Sequence, residues 1–277
     1  MNRAAIDATE VTEKYYDSRD ADAFYSRVWG GEDIHIGIYG SPDEPIAAAS
    51  RRTVSEMASW LERLDHDSTV VDIGAGYGGA ARHLARTFGC RVTCVNLSAR
   101  QNARNRRRNK LAGLADQIEV VHGSFERLPL AAESYDVVWC QDAMLHSADR
   151  RRILQEVWRV LRPGGRFIFT DPMQIDGCPP GVLEPVYARL HLADLGSPGF
   201  YRATLQELGF RELRFEDLTE HMVRHYTRVL HELEAKSDDL SRHASTRYLE
   251  TMKEGLGHWI KAGSSGYLRW GVSCYQR

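Results

Sequence analysis

Asp72 closes the apolar run Val70-Val71, and glycines follow it at positions 74, 76, 78 and 79. An acid at a strand end, followed by alternating glycines, marks a tight turn where backbone comes close to a ligand that a Cβ would repel. Three ligands suit such a turn: a nucleotide phosphate, a dinucleotide pyrophosphate, or the amino-acid end of S-adenosylmethionine. The first requires G-x-x-x-x-G-K-[ST], and no Lys-Ser or Lys-Thr follows these glycines. Spacing alone leaves the second open, because Gly74, Gly76 and Gly79 stand where G-x-G-x-x-G/A would have them. Asp72 argues against it. A carboxylate there repels a diphosphate but accepts a hydrogen bond from an amino group. The plainer alternative is a buried turn with no ligand.

The elements that must position this turn recur downstream. Arg91–Asn96 reads as a second strand, with a Ser98-initiated helix behind it running to Leu114. Asn96 lies 24 positions after Asp72 (96 − 72), where a βαβ unit places its ribose-binding side chain. Ile118–His122 and Tyr135–Cys140 read as the third and fourth strands. Leu161-Arg162-Pro163-Gly164-Gly165 reads as a helix end and turn before a fifth strand, and Arg211–Leu218 as a sixth. Alternating strands and helices imply a parallel sheet with right-handed crossovers. Residues 46–64 form an amphipathic helix with Val54, Met57, Trp60 and Leu61 on one face. The first part of 172–198, rich in proline, reads as loop, Phe200–Leu208 as a helix, and residues 219–260 as mostly helical before a last strand, Tyr267–Tyr275. Ligands of such sheets bind beyond the carboxyl ends of the strands. The aromatic N-terminal segment and the 219–260 insert, not needed for the sheet, are both available to roof that edge and keep water off a reaction there.

Composition removes other classes. With 277 residues the chain can bury one sizeable core plus an appended lobe. A net charge of −2, from 36 basic and 38 acidic residues, gives no footprint for nucleic acid or an anionic membrane. The cluster Arg104-Asn105-Arg106-Arg107-Arg108 reads as a solvated helical face. No apolar run reaches the ~18 residues of a membrane span, and Met1–Asp7 lacks the apolar core of a signal peptide, so a cytoplasmic location is expected. Five scattered cysteines show no finger spacing; Cys94 and Cys140 read as small buried apolar residues, and no metal is expected.

The landmarks in this order, over residues 50–218, resemble the class I S-adenosylmethionine-dependent methyltransferases. A narrower resemblance runs over nearly the whole chain. It is carried by Phe24–Tyr39 with its W-G-G-E-D-I-H-I-G core, Gln141–Ser147, Asp171-Pro172-Met173, Leu195–Tyr201 and Tyr267–Gly271. These segments are similar to the sarcosine/dimethylglycine N-methyltransferases of betaine synthesis. The resemblance implies an α/β, Rossmann-like fold: a seven-stranded, mostly parallel sheet with an antiparallel last strand. It implies a lid segment over 1–45, a donor-binding core over 46–218, a helical cap over 219–260 and a last strand within 261–277. It also implies methyl transfer from S-adenosylmethionine to sarcosine and then dimethylglycine, giving glycine betaine and S-adenosylhomocysteine.

That reaction leaves a quaternary cation with no proton to donate, which ring faces can hold at about 0.5–2 kcal/mol each. Tyr25, Trp29, Tyr201 and Trp270 are the candidates, with core packing as the plainer reading. Arg189, Tyr201 and Arg269 are candidate partners for the substrate carboxylate. Pro172 and Met173 stand where relatives acting on glycine carry an arginine, so an already methylated amine is expected. The amine must lose a proton, and His146 or Asp142 can take it. By resemblance to phosphoethanolamine methyltransferases, an N-terminal tyrosine, Tyr16 or Tyr25, closes over this pair, and Tyr25 is the one assigned. The plainer reading of His146 is a helix start or cap. The insert histidines His221, His225 and His231 read as solvated. For the donor, Asp72 with Gly74, Ala75 and Gly76 is expected at the methionyl part, covered by His35 and Gly37. Asn96, Leu97 and Gln101 are expected at the ribose, Ser124 and Phe125 at adenine, and Gln141 beneath the sulfonium. Asn96 and Ser124 replace acids common in the broader class.

Two other readings remain. One is a related methyltransferase acting on phosphoethanolamine, a prenylated ring or a lipid; the insert, rich in Arg, His, Glu and Asp, does not suit a long apolar tunnel. The other is a non-catalytic module that binds the donor. The expected partner is a small zwitterionic amine, with no nucleic acid and no membrane, and the expected state is a monomer or weak homo-oligomer.

Overall fold

In the computed structural model, residues 13, 16–29, 31–62, 64–190 and 192–277 are described. Alternation along the strands builds two cores. Val70, Trp139 and Ile168 point to one sheet face; Val71, Val138 and Phe167, each one residue away, point to the other. The strands are β1 (Thr69–Ile73), β2 (Arg91–Asn96), β3 (Ile118–His122), β4 (Tyr135–Gln141) and β5 (Leu161–Thr170). With β7 (Arg211–Asp217) and β9 (Gly271–Gln276) they form one sheet in the order β3-β2-β1-β4-β5-β9-β7. β1 to β5 pair in parallel, and β9 runs antiparallel to both β5 and β7. This is the expected sheet. The Pro163-Gly164-Gly165 turn appears as a shift of register, Tyr135 facing Leu161 and Val137 facing Arg166.

Helices α2 (Ile46–Ser59) and α3 (Gly79–Phe88) cover the first face, through Val54, Met57, Ala81 and Leu84. Helices α5 (Arg150–Val160) and α7 (Pro198–Glu207) cover the second, through Ile153, Val157 and Leu205. Between them, α4 (Ala99–Leu111) begins at Ser98, whose hydroxyl accepts from the Gln101 N–H at 3.1 Å.

A third core belongs to neither face. Helix α1 (Arg19–Val28) packs Phe24, Tyr25 and Val28 with Met222, Tyr226 and Val229 of α8 (Thr219–Ala235). Leu249, Leu256 and Trp259 of α10 (Thr246–Ser264) complete it, with the short α9 (Ser237–Leu240) between the two long helices. The N-terminal segment and the insert therefore share one hydrophobic core. α8 and α10 approach closely at Gly263, where a Cβ would stand 2.7 Å from Val223.

Several boundaries differ from expectation. The helix read as 46–64 stops at Ser59, and the second part of 172–198, for which no element was read, forms α6 (Glu184–Leu190). Helix α10 runs to Ser264, past the expected end of the insert. The last strand is divided. Leu268–Arg269 (β8) pairs with Met173–Gln174 (β6) outside the main sheet, and β9 starts only after Trp270. The backbone of Trp270 explains the break, because its N–H donates to the Thr219 hydroxyl at 3.0 Å and its carbonyl accepts from the Leu218 N–H at 2.8 Å. The basic stretch on α4 is not uniformly solvated either: Arg104 meets Asp22 at 2.6 Å, and Arg104 and Arg108 both stack on the Tyr77 ring. Cys94 and Cys140 are fully buried, as expected. Among the described residues no helix is long and apolar enough to cross a membrane, and no cluster of metal-ligating side chains occurs.

Candidate active site

The turn after β1 is built as its glycines require. Gly74, Gly76 and Gly78 adopt φ of +81°, +51° and +75°. A Cβ on Gly74 would stand 2.4 Å from that of Ala143. The Gly74 N–H donates to the Val95 carbonyl at 2.8 Å, tying the turn to β2. Above it, at the carboxyl ends of the strands, lies a cavity of about 590 Å³. Gly74, Gly76, Asn96, Leu97, Gln101 and Phe125 line it from the sheet side. Ile34, His35 and Tyr16 close it from the N-terminal segment; Gln141, Asp142, Ala143 and His146 close it from the end of β4.

Two features of this cavity point to a polar ligand. Asn96 and Gln101 hold each other at 3.0 Å on its wall. The Gln141 amide oxygen accepts from the Trp139 indole at 2.9 Å, which leaves the amide NH₂ buried with no hydrogen-bond partner. Behind the turn lie two buried carboxyls. Burial pushes Asp72 up to about 8, with the Asp33 charge adding to it, and burial pushes Asp33 up to about 6. Both would be stabilised as anions by a cationic amino group.

Beyond β4 the chain makes a strained step at Asp142, with φ of +49°, and enters a one-turn 3₁₀ helix, Met144–His146. The Asp142 carboxylate accepts from the Ile36 N–H at 2.7 Å and from the Trp270 indole at 2.8 Å. Burial pushes Asp142 up to about 6, and these donors pull the other way. Asp171, at the end of β5, accepts from the Leu145 N–H at 3.0 Å and the Tyr201 hydroxyl at 2.6 Å, so it anchors the turn that carries His146. Burial raises Asp171 to about 7.

His146 Nε2 lies 2.9 Å from the Tyr16 hydroxyl. Burial, then the charges of Arg150 and Arg189, lowers His146 to about 4, so the ring is neutral at physiological pH. Burial holds the Tyr16 hydroxyl well above its ordinary value, and Arg189 opposes that shift. Tyr16 continues into an aromatic layer: its ring centre lies 5.7 Å from that of Tyr25, Tyr25 lies 5.3 Å from Trp29, and Trp29 lies 4.9 Å from the His225 ring. Arg189 is buried, with its guanidinium 5.5 Å from the Tyr226 ring centre.

The model of a methyltransferase domain matches residues 71–169, from β1 to β5. The sarcosine/dimethylglycine N-methyltransferase of Halorhodospira halochloris is 53% identical over 98% of this chain and 97% of its own length. That of Aphanothece halophytica is 55% identical over 93% of each chain. A crystal structure of a candidate sarcosine dimethylglycine methyltransferase from Galdieria sulphuraria superposes with a TM-score of 0.90, at 43% identity, over 95% of this chain and 98% of that one. The chain belongs to the sarcosine/dimethylglycine N-methyltransferase family. It is an S-adenosylmethionine-dependent N-methyltransferase with the class I fold.

The structure of this N-methyltransferase sorts the residues expected from sequence. His35, Gly74, Gly76, Asn96, Leu97, Gln101, Phe125, Gln141, Asp142 and His146 meet at one cavity. Asp72 and Ala75 lie behind its wall, buried. Gly37 does not cover the donor: a Cβ there would stand 2.5 Å from Ala49, and its N–H donates to His225 Nδ1 at 3.1 Å. The Ser124 hydroxyl turns away to accept from the Glu126 N–H, and Gly123 takes the cavity position beside Phe125.

Among the acceptor candidates, Tyr25 and Trp29 share the aromatic layer, but the tyrosine on His146 is Tyr16, not Tyr25. Tyr201 and Trp270 are buried with their polar atoms committed to Asp171 and Asp142, so they orient carboxylates instead of presenting ring faces. Pro172 and Met173 lie outside the cavity, Met173 paired with Arg269 across the small sheet. Arg269 donates to the Gly266 and Leu268 carbonyls. Its guanidinium also lies 3.6 Å from the Asp217 carboxylate at the end of β7.

The insert histidines are not all solvated. His225 is fully buried, bound at Nδ1 by the Gly37 N–H and within 3.0 Å of the Tyr39 hydroxyl; His221 Nδ1 accepts from the Tyr39 N–H at 3.0 Å. His231 is exposed. Sequence reasoning passed over Asp33, Asp171, Tyr226 and His225. The acids lay inside quoted motifs. The insert pair carried a signal as well, since His225 and Tyr226 adjoin Met222 and Val229 on the apolar face of α8.

Proposed function

We propose that this chain transfers methyl groups from S-adenosylmethionine to the nitrogen of sarcosine and then of dimethylglycine, producing glycine betaine. The observation that carries the reading is the neutral, buried His146 bonded to Tyr16 at the edge of the donor cavity, with the Arg189 charge acting on both.

The cavity residues fit the donor: glycine backbone and Asp72 for its amino-acid end, Asn96 and Gln101 for ribose hydroxyls, Phe125 for the adenine face. S-adenosylmethionine bound there supplies a methyl group on a sulfonium that leaves as a thioether. The acceptor nitrogen must arrive as free amine, because an ammonium has no lone pair. Arg189 holds the acceptor's carboxylate, which fixes the opposite end of the molecule. The same positive charge, in a site where burial already lowers His146 and His225, disfavours the ammonium form. The proton leaves toward solvent along the Tyr16–His146 pair, in which the neutral imidazole relays it without keeping the charge. The nitrogen lone pair then forms the N–CH₃ bond as the S–CH₃ bond breaks. With dimethylglycine the new positive charge stays on nitrogen, where the ring faces of Tyr16, Tyr25 and Trp29 and the Asp142 carboxylate stabilise it.

In-line displacement by an amine needs no metal. The N-terminal segment and the insert act as the cap over the 46–218 core, supported by the hydrophobic core they share. We assign the enzyme to the cytoplasm, where its free cysteines remain reduced. It acts as a monomer or weak homo-oligomer, because Leu111 and Val182 are the large apolar side chains exposed among the described residues.

Initial rates with labelled donor on sarcosine, dimethylglycine and phosphoethanolamine test the proposal. Methylation of the first two, ending in betaine, is expected. Preference for phosphoethanolamine would replace the reading, and donor binding without turnover on any small amine would leave only a binding module.

A further inference from the structure

A second depression of about 720 Å³ opens between α1 and α10. Ser18, Asp20, Arg189, Ser245, Arg247 and Thr251 line it, and it shares no lining residue with the donor cavity. The N-terminal segment is the partition: Tyr16 faces the donor cavity, while Ser18 and Asp20 face this depression. Arg189 belongs to both sides. It lines the depression yet is only 4% exposed, and its guanidinium reaches to 5.5 Å from the Tyr226 ring centre, itself 6.4 Å from that of Trp29 in the aromatic layer. Its stem passes α10 at Gly255, where a Cβ would stand 2.7 Å from Arg189 Cγ and Cδ. Any other residue at 255 would displace the Arg189 side chain. Across the rim, the Asp20 carboxylate accepts from the Ser245 hydroxyl at 2.6 Å and from its N–H at 3.2 Å, joining α1 to the start of α10.

We propose that the acceptor reaches the reacting layer through this mouth of its own, while the donor uses the cavity at the strand ends. The inference rests on the proposed function. Arg189, which lines the floor, and the exposed Arg247 at the rim supply the positive charge that attracts a carboxylate. Asp20 offers the opposite charge to an ammonium, so the rim matches a small zwitterion at both ends. Two mouths also remove an obstacle. A donor bound on the Gly74–Gly76 turn would stand in the way of an acceptor entering by the same opening. A separate mouth leaves acceptor binding open in the donor complex and release of the spent donor open while acceptor is bound.

The test uses the full chain and two rim variants. Thr251 is exposed, so Thr251→Trp adds bulk over the mouth without touching a core; Arg247→Glu reverses the charge at the rim. Each is expected to raise KM for dimethylglycine at least fivefold, the second more at low salt than at high salt. Both should leave the S-adenosylhomocysteine dissociation constant within twofold of the parent. Stopped-flow release of S-adenosylhomocysteine should be unchanged by saturating dimethylglycine. Unchanged KM in both rim variants, or donor release blocked by the acceptor, overturns the two-mouth arrangement even if the parent makes betaine. If the parent does not methylate dimethylglycine, the functional reading itself has failed.

Discussion

Replacing Trp270 by Phe removes one of the two donors the structure aims at Asp142, the indole N–H at 2.8 Å. The Ile36 N–H at 2.7 Å remains. A hydrogen bond to a charged group contributes about 1.5–3 kcal/mol, and 1.36 kcal/mol corresponds to one pKa unit. Losing the donor destabilises the carboxylate and not the acid, so the shift is upward, by about 1–2 units. Asp142 then moves from about 6 to roughly 7–8. At pH 7 its ionised share falls from about nine-tenths to half or less, and at pH 9 it recovers. If an ionised Asp142 faces the forming cation, the acid limb of kcat against pH must move to higher pH by the same interval. The assay is methyl transfer to dimethylglycine between pH 5.5 and 9.5, with donor affinity measured at each pH. A merely structural loss of the indole would lower activity equally at every pH. That result, or an acid limb that stays in place, would refute the reasoning.

Other outcomes follow from the same geometry. Arg189→Gln should raise KM for dimethylglycine about a hundredfold, the ~3 kcal/mol of a buried charge-assisted pair, with donor affinity unchanged by calorimetry. His146→Ala should retain S-adenosylhomocysteine binding and lower kcat, and full turnover would remove His146 from the proton's path. Gly74→Ala should abolish donor binding, because its Cβ would meet Ala143 at 2.4 Å on a backbone of φ +81°. Asp72 and Asp171, held at about 8 and 7, bind protons in the fold that they release when unfolded. The unfolded values lie near 4, so folding stability contributed by these groups falls as pH rises through 7 and 8. Thermal melts of the ligand-free enzyme between pH 6.5 and 8.5 should show that decline. The donor's amino group should favour ionised Asp72, so S-adenosylhomocysteine affinity should rise over the same window.

The donor half of the site was legible because its determinants are local. The glycines after Asp72, the Asn96 spacing and the Gln141-Asp142 strand end each lie within a few residues of the backbone that needs them. Class, strand number and the antiparallel last strand followed from the same landmarks and the family resemblance. The acceptor half was not legible in this way, because its partners are brought together by the fold. Tyr16 meets His146 across 130 positions, and Trp270 meets Asp142 across 128. An isolated aromatic looks the same whether its ring faces a ligand or its polar atom serves a carboxylate. Tyr201 and Trp270 were therefore expected as ring faces and are found as donors. His225 was misjudged for a related reason: histidine in a charged insert reads as solvated until the helix face that carries it is buried against another segment.

The most direct test of the account is a crystal soaked with S-adenosylhomocysteine and dimethylglycine together. The account predicts the homocysteine end on the Gly74–Gly76 turn, the acceptor nitrogen facing Tyr16 and His146, and its carboxylate paired with Arg189. A dimethylglycine carboxylate bound elsewhere, or a nitrogen turned away from the donor sulfur, would contradict it.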